Sequence, residues 1–174
     1  MAQKTDEQLL QELMIKMVKF DAGDPARIQH FIKVASFART IGEGEGLDAG
    51  ALLTLEAAAI VHDIGIHLSE EKYGDSSGKH QEELGPEPAR QMLAEVGFDE
   101  ACCERVAYLV GHHHTYTNID GIDYQALVEA DFLVNLFEDS ASDTAIASAG
   151  EKIFRTKTGK LLLHALFGVG SSEA

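Results

Sequence analysis

An imidazole and a carboxylate stand side by side at His62 and Asp63, where the apolar run AAAIV ends. That run predicts a buried helix, and burying an ionised carboxylate without a partner costs several kcal/mol. An ion pair or a bound metal ion offsets this cost. We therefore expect other parts of the chain to supply partners for the pair.

Histidines concentrate around this pair and in the segment that follows it. Seven of the eight histidines lie between positions 30 and 114. The candidates for a site shared with the pair are His30, His80, His112, His113 and Asp131. Imidazole and carboxylate ligands suit Mn, Fe, Co, Ni or Zn better than Ca or Mg. Since the only cysteines are the adjacent Cys102 and Cys103, a thiolate zinc site is not expected.

Two of these candidates fall on apolar helix faces. A helix is predicted to begin at Asp24 and Pro25, and at 100° per residue it carries His30 on its core-facing stripe. Asp131 lies in the apolar segment 123–138, with no Lys or Arg three or four residues away to neutralise it. Taken alone, His30 would be an ordinary core histidine, whereas Asp131 already favours metal ligation over a distant ion pair or a helix-capping role. Their occurrence together with His62 on three helices favours a metal site.

Hydrophobic periodicity predicts an all-α chain with no convincing strand. We expect a single domain over residues 1–174, because a chain of this length can enclose a hydrophobic core without disulfide bonds or structural metal ions. The polar, glycine-containing segment 69–80 is predicted to be a loop, and 139–150 a connection of small residues. The predicted helices cover residues 5–20, 24–41, 48–65, 86–96, 99–114, 123–138 and 151–168.

The formal net charge of −15 disfavours nucleic-acid duplexes and anionic membranes as partners. A phosphate substrate would then need a local positive centre, which metal ions would provide. No apolar run approaches the ~20 residues of a membrane span, and no secretion signal is evident, so we expect a cytoplasmic protein. One basic cluster occupies residues 152–160. The apolar run LLLHALF beside it is expected to dock on the bundle or to form a homodimer contact.

The order of the ligand candidates, His30, then His62 with Asp63, then Asp131, resembles the H…HD…D signature of the HD-domain superfamily of metal-dependent phosphohydrolases. The flanking words RIQH, AAIVHDIG and VEADFLVN fit this signature as well. The resemblance covers roughly residues 24–138. It implies an HD-type helical bundle in which these four residues hold one ion.

The additional histidines resemble the dinuclear subgroup with the pattern H…HD…H…H…D, which includes the bacterial diadenosine tetraphosphate hydrolases. The resemblance implies two divalent transition-metal ions bridged by Asp63, with Fe or Mn expected and Co, Ni or Zn as alternatives. The second ion would be held by His80 together with His112 or His113. The helix face favours His112, and His114 is the least favoured of the three. For His80 the alternative is a histidine in a mobile loop.

Other residues are predicted to assist the chemistry. A histidine that does not bind metal, His67 or His114, would donate a proton to the leaving group. Arg27 would contact a phosphate, although it is also expected as an ordinary solvated charge, and Asn135 would orient Asp131.

The predicted function is metal-dependent hydrolysis of a phosphoester or phosphoanhydride in a small molecule, with a nucleotide as the expected substrate. Two metal ions about 3.5–4 Å apart would activate a bridging water and neutralise phosphate oxygens. One alternative is an HD-fold di-iron oxygenase, which would use the same ligands. The other is a regulatory module that binds a nucleotide or a metal without turnover. A GYP word is missing after HHHTY, which counts against cyclic-di-GMP as the substrate.

Overall fold

The computed structural model describes residues 4–169, which form ten α-helices and no strand. The predicted all-α fold is confirmed. The expected single domain over 1–174 also includes residues 1–3 and 170–174, which lie outside the described residues. The helices are α1 (Asp6–Phe20), α2 (Pro25–Gly44), α3 (Ala49–Val61), α4 (Ile66–Tyr73), α5 (Gly78–Leu84), α6 (Pro86–Val96), α7 (Glu100–Val110), α8 (Ile122–Glu138), α9 (Asp143–Lys152) and α10 (Lys157–Phe167).

Side-chain caps fix the starts of the helices that carry the site. Asp24 accepts a hydrogen bond from the backbone N–H of Arg27 at 3.1 Å, which sets the first turn of α2. Asp48 does the same for α3 at 2.9 Å, and Asp99 for α7 at 2.8 Å. These are the starts that the sequence predicts.

Helix α3 runs through the middle of the bundle and packs against α1, α2, α7 and α8. Ala57, Ala58 and Ala59 are fully buried, and their small side chains let the neighbouring helices approach closely. Gly42 of α2 lies against α3, where an added Cβ would come within 2.8 Å of the Leu52 side chain. The backbone positions at the end of α3 are therefore held firmly by the surrounding helices.

In the described part of the chain, one stretch is long and apolar enough to cross a membrane by length and composition alone. It covers residues 49–73 and reaches a mean hydropathy of 1.5. This stretch comprises α3, the turn after it and α4, and half of its most apolar window is buried inside the bundle. A core helix of a soluble protein passes the same test, and α3 occupies such a core position.

The predicted loop over 69–80 is wrong for most of its length. Helix α4 continues to Tyr73, and α5 begins at Gly78. Both helices are short and lie at the surface, with Ser69 the buried residue of α4 and Gln81 that of α5. Their polar composition thus reflects solvent exposure. Gly74 ends α4 in the left-handed conformation, with φ of 76°.

The C-terminal region also differs from the prediction. The expected connection over 139–150 contains most of α9, which is capped by the Ser142 hydroxyl. The single helix expected over 151–168 is divided between the end of α9 and α10. The break occurs because Thr156 caps α10, accepting from the Gly159 N–H at 2.9 Å.

A buried carboxylate on α8 fixes this break. Glu129 is fully buried, and its Oε1 accepts hydrogen bonds from the backbone N–H groups of Arg155 at 2.5 Å and Thr156 at 2.9 Å. Gln125 Nε2 also donates to Oε1, and the Thr156 hydroxyl donates to Oε2. Gly159 leaves the necessary space, because an added Cβ would overlap Glu129 Oε2. The turn before α10 is therefore attached to α8 by one side chain.

We expect Glu129→Ala to lower the free energy of unfolding by about 3 kcal/mol, because it leaves several buried donors without an acceptor. Urea unfolding of metal-free protein would measure this loss. The matched control is Glu151→Ala, which removes an exposed carboxylate nearby and should change stability by less than about 0.5 kcal/mol. Equal stability of the two variants would contradict the structural role of Glu129.

Candidate metal centre

Three helices bring four predicted ligands to one point in the bundle. His30 lies on α2, His62 and Asp63 follow α3 directly, and Asp131 lies on α8. His30 Nε2 is 3.2 Å from His62 Nε2 and 3.1 Å from Asp131 Oδ1. His62 Nε2 is 3.6 Å from the same Asp131 oxygen. These three atoms therefore converge closely enough to share one ion.

Asp63 presents its two carboxylate oxygens to two sets of histidines. Its Oδ2 lies 3.3 Å from His62 Nε2 and 3.5 Å from His30 Nε2. Its Oδ1 lies 3.5 Å from His113 Nε2. Among residues 4–169, two groups of side chains have ligand atoms within 4.8 Å of one another, namely His30–His62–Asp63 and Asp63–His113–His114. Both groups contain Asp63.

The backbone sets the orientation of two imidazoles. The Nδ1 of His62 donates to the carbonyl oxygen of Ala59 at 2.8 Å, and that of His113 to Val110 at 2.8 Å. A carbonyl partner requires the proton on Nδ1, so Nε2 is the nitrogen that can offer a lone pair to a metal ion at the centre. Each histidine thus uses the last turn of its own helix to present a metal-binding nitrogen.

A carboxylate orients the third imidazole. The Nδ1 of His30 donates to Glu138 Oε2 at 2.8 Å, while Lys33 pairs with the other oxygen of Glu138 at 2.6 Å. Sequence reasoning missed Glu138. The available signal was its position on α8, seven residues after Asp131 and therefore on the same helix face. The predicted partner of Asp131 is also on that face, since Asn135 Nδ2 donates to Asp131 Oδ1 at 2.9 Å.

The side chain of His113 has a buried nitrogen without a hydrogen-bond partner. His113 is fully buried, and its Nε2 has no hydrogen-bond partner among the described residues. Leaving such a group unsatisfied costs about 1–3 kcal/mol. The nitrogen faces Asp63, and imidazole nitrogens with carboxylate oxygens are the donors that divalent transition metals prefer. The residues present therefore fit a metal ion.

Charges within the centre favour ionised carboxylates. Burial alone raises the pKa of Asp63 and Asp131, but the neighbouring histidines lower both values below their usual range. Burial lowers the pKa of His114 to about 4, and the charge of His113 adds to this effect. At neutral pH, His114 is thus uncharged and has a lone pair available.

Helix α5 packs against His114 and forms hydrogen bonds with it. The His114 Nε2 lies 3.3 Å from Gln81 Oε1, and its backbone N–H donates to Glu82 Oε1 at 2.9 Å. Gly78 packs against the ring, because an added Cβ would come within 2.6 Å of it. If Nε2 donates to Gln81, Nδ1 is the atom that can bind metal. Sequence reasoning ranked His114 last and did not single out Gln81 or Glu82.

The structure does not bring His112 to either ligand group. Its Nδ1 donates to the carbonyl oxygen of Tyr108 at 2.7 Å, and its ring stacks on that of Tyr108 with 4.2 Å between centroids. Helix α7 ends at Val110 and the chain continues as a turn. The helical spacing that favours His112 therefore does not extend to the triplet, and His113 and His114 face Asp63 instead.

His80 also lies apart from both groups. On α5, its Nδ1 is hydrogen-bonded to Asp75 Oδ1 at 2.8 Å, and its ring stacks on Tyr73 with 3.8 Å between centroids. This surface cluster satisfies the imidazole without metal.

His67, the predicted general acid, is hydrogen-bonded to Arg27, the predicted phosphate ligand. His67 Nε2 donates to Asp21 Oδ1 at 2.8 Å, and His67 Nδ1 accepts from Arg27 Nη1 at 3.0 Å. Arg27 also pairs with Glu70 at 2.5 Å and Asp24 at 3.3 Å. Both nitrogens of His67 and the charge of Arg27 thus have protein partners, and their catalytic roles stay predictions.

The fold and the site together define a class of protein: a helical bundle with an imidazole–carboxylate metal centre between its helices. The family model described as "HD domain" matches residues 27–165. The chain belongs to the HD-domain family, whose members are generally metal-dependent hydrolases. The match includes α9 and extends into α10, beyond the 24–138 that the signature covers. Comparison with curated proteins and with solved structures found no match.

We expect His113→Ala to lose the ion that Asp63, His113 and His114 would hold, while the ion at His30 is retained. Elemental analysis of protein purified anaerobically would show this loss. His112→Ala is the matched control, since it removes a neighbouring imidazole that contacts Tyr108, and its metal content should equal that of the wild type. Metal loss in His112→Ala with full content in His113→Ala would contradict the arrangement.

Glu138→Ala should weaken metal binding about 10–100-fold, because His30 loses the partner that fixes its orientation. Competition with a chromophoric chelator would measure the affinity. Asp139→Ala removes the same charge from the next residue and serves as the control. An equal decrease in both variants would assign the effect to net charge and not to the hydrogen bond.

Proposed function

We propose that the protein is a metal-dependent phosphohydrolase that cleaves a phosphoester or phosphoanhydride of a small molecule, with nucleotides as the expected class. The observation that carries this proposal is the position of Asp63, with one oxygen towards His30 and His62 and the other towards the orphaned His113 Nε2. A shared carboxylate of this kind supports a centre for two ions.

Bound divalent ions would neutralise phosphate oxygens and supply a hydroxide nucleophile at neutral pH. The protein's own residues hold this centre in place. Asn135 keeps Asp131 oriented, and the acceptors behind His30 and His62 keep their Nε2 atoms directed inward. Little reorganisation is then needed when a substrate binds. We propose Fe or Mn as the native metal, with Co, Ni or Zn as alternatives.

The narrower similarity to diadenosine tetraphosphate hydrolases is also a proposal. The second ligand group supports it, whereas the position of His80 among surface partners does not. Dinucleoside polyphosphates therefore belong among the substrates to test. The cytoplasmic location and the docking or dimer role of the C-terminal apolar run remain part of the same proposal.

The expected result is metal-dependent phosphate release from at least one compound in a panel of nucleoside mono-, di- and triphosphates and dinucleoside polyphosphates. The double variant His62→Ala, Asp63→Ala should lower this rate to background, because it removes ligands from both groups. Circular dichroism would check that helix content is retained, and His112→Ala would serve as the active control.

Persistent turnover in the folded double variant would contradict the assignment. Oxygen consumption by the iron-loaded protein, without phosphate release, would favour the di-iron oxygenase that can use the same ligands. Nucleotide binding without turnover under any metal would favour the regulatory module.

A further inference from the structure

A cavity lined partly by cationic side chains lies near the candidate metal centre. It has a volume of about 170 Å³ and is lined by the loop after the histidine triplet, by α8 and by the end of α9 with the turn that follows. Its polar lining residues are Tyr116, Gln125, Lys152 and Arg155. The volume is several times the roughly 30 Å³ of a water molecule, so the cavity has room for a polyatomic group.

The charges around this cavity are unusual for this protein. Most lysines and arginines form ion pairs with carboxylates, which are abundant in a chain of net charge −15. Within residues 4–169, the cations that have no carboxylate within 4.0 Å are Lys19, Lys79, Lys152, Arg155, Lys157 and Lys160. Four of these six fall in the segment 152–160, and two of the four line the cavity. This segment is a positive patch on an acidic protein.

Arg155 is held in place and still has donors available. Its Nη1 donates to the carbonyl oxygens of Glu151 and Phe154, each at 2.9 Å, and its Nη2 to that of Lys152 at 2.7 Å. A guanidinium has five N–H donors, so the Nε–H and one Nη2–H have no partner among the described residues. Oxygen atoms of an anion can accept both hydrogen bonds.

The walls of the cavity are fixed by the buried carboxylate of α8. Glu129 binds the backbone of Arg155, and Gln125 Nε2 donates to the Ile153 carbonyl at 2.9 Å. The turn that carries the cations therefore cannot move freely relative to α8. A site that is rigid before binding pays less entropy when a ligand enters.

The cavity adjoins the metal centre along α8. Val128, which lines it, precedes Asp131 by three residues, a rise of about 4.5 Å along the helix. Tyr116 also lines it, and burial raises the Tyr116 pKa to about 12, with a further contribution from the charge of Asp131. The Tyr116 ring also packs edge-to-face against that of Phe132, the residue after Asp131, with 5.1 Å between centroids.

We propose that this cavity binds a second anionic group of the substrate, a phosphate remote from the bond that is hydrolysed, through Lys152 and Arg155. The proposal rests on the phosphohydrolase function and narrows its substrate class to small molecules with at least two anionic groups. The metal centre would hold the reacting phosphate, and Lys152 with Arg155 would hold the other. Because the net charge of −15 repels anions at long range, two attractive positions favour molecules that can occupy both.

Equilibrium binding of inorganic phosphate to the full-length, metal-loaded protein tests this site. By titration calorimetry, the wild type is expected to bind two phosphates per chain, one at the metal centre and one in the cavity. Lys152→Glu should bind one, with the affinity of the lost site reduced at least tenfold, because an attractive charge becomes repulsive. Lys160→Glu makes the same change in charge on the exposed side of α10 and should retain both.

The outcomes separate this site from the proposed function. Binding of one phosphate by the wild type and none by Lys152→Glu would support the cavity while contradicting phosphate binding at the metal centre. Unchanged binding in Lys152→Glu would overturn the proposal, even if the protein hydrolyses phosphate esters. A further readout is kinetic: Lys152→Glu should raise KM for substrates with two phosphates and leave that for a monophosphate unchanged. An equal rise for both would also contradict the cavity site.

Discussion

The arrangement of this protein depends on the burial of ionised carboxylates among its helices. Asp131 is buried on α8, and Asp63 directly follows the buried C-terminal half of α3. Each carboxylate is surrounded by imidazoles and not by lysine or arginine, so its charge is balanced only where protons or metal ions accompany the histidines. Tight packing around α3 fixes the distances between these carboxylates and the imidazoles, and the balance of charge depends on those distances.

Glu129 offers an instructive contrast on the same helix as Asp131. It is fully buried too, but it accepts hydrogen bonds from backbone and side-chain donors that belong to the protein itself. Such a carboxylate needs no external partner, and it organises the chain around it. Asp63 instead faces the unpartnered Nε2 of His113. The two carboxylates thus differ in role according to whether the fold supplies their hydrogen-bond donors.

Much of the fold follows from the sequence, because capping residues and apolar periodicity act locally. Asp24, Asp48 and Asp99 mark helix starts that the structure retains. The short helices α4 and α5 and the division between α9 and α10 were not predicted, since their helicity depends on surface exposure and on a contact from α8.

In the metal centre, too, the residues with local sequence signals were predicted, and those that depend on contacts between distant parts of the chain were not. His30, His62, Asp63 and Asp131 lie at regular helical positions or directly after a helix, and their apolar surroundings together with the resemblance to the H…HD…D signature predicted a shared site. The histidine triplet follows the end of α7, where a turn decides which rings face inward, so extrapolating the helix points to the wrong member. Residues that act on the ligands, such as Glu138, have no signature of their own, and only three-dimensional contact reveals them.

The positive patch over residues 152–160 gives the molecule a strong electrical asymmetry. A protein that is acidic nearly everywhere but cationic near the end of α9 behaves as a dipole in solution. An approaching anion is deflected from most of the surface and is turned towards that end before any contact forms. Salt shortens the range of this attraction and of the surrounding repulsion alike, to about 10 Å at 0.1 M ionic strength, so the capture rate should depend on ionic strength. The distribution of charge thus governs how quickly a ligand arrives, separately from how tightly the helices hold it.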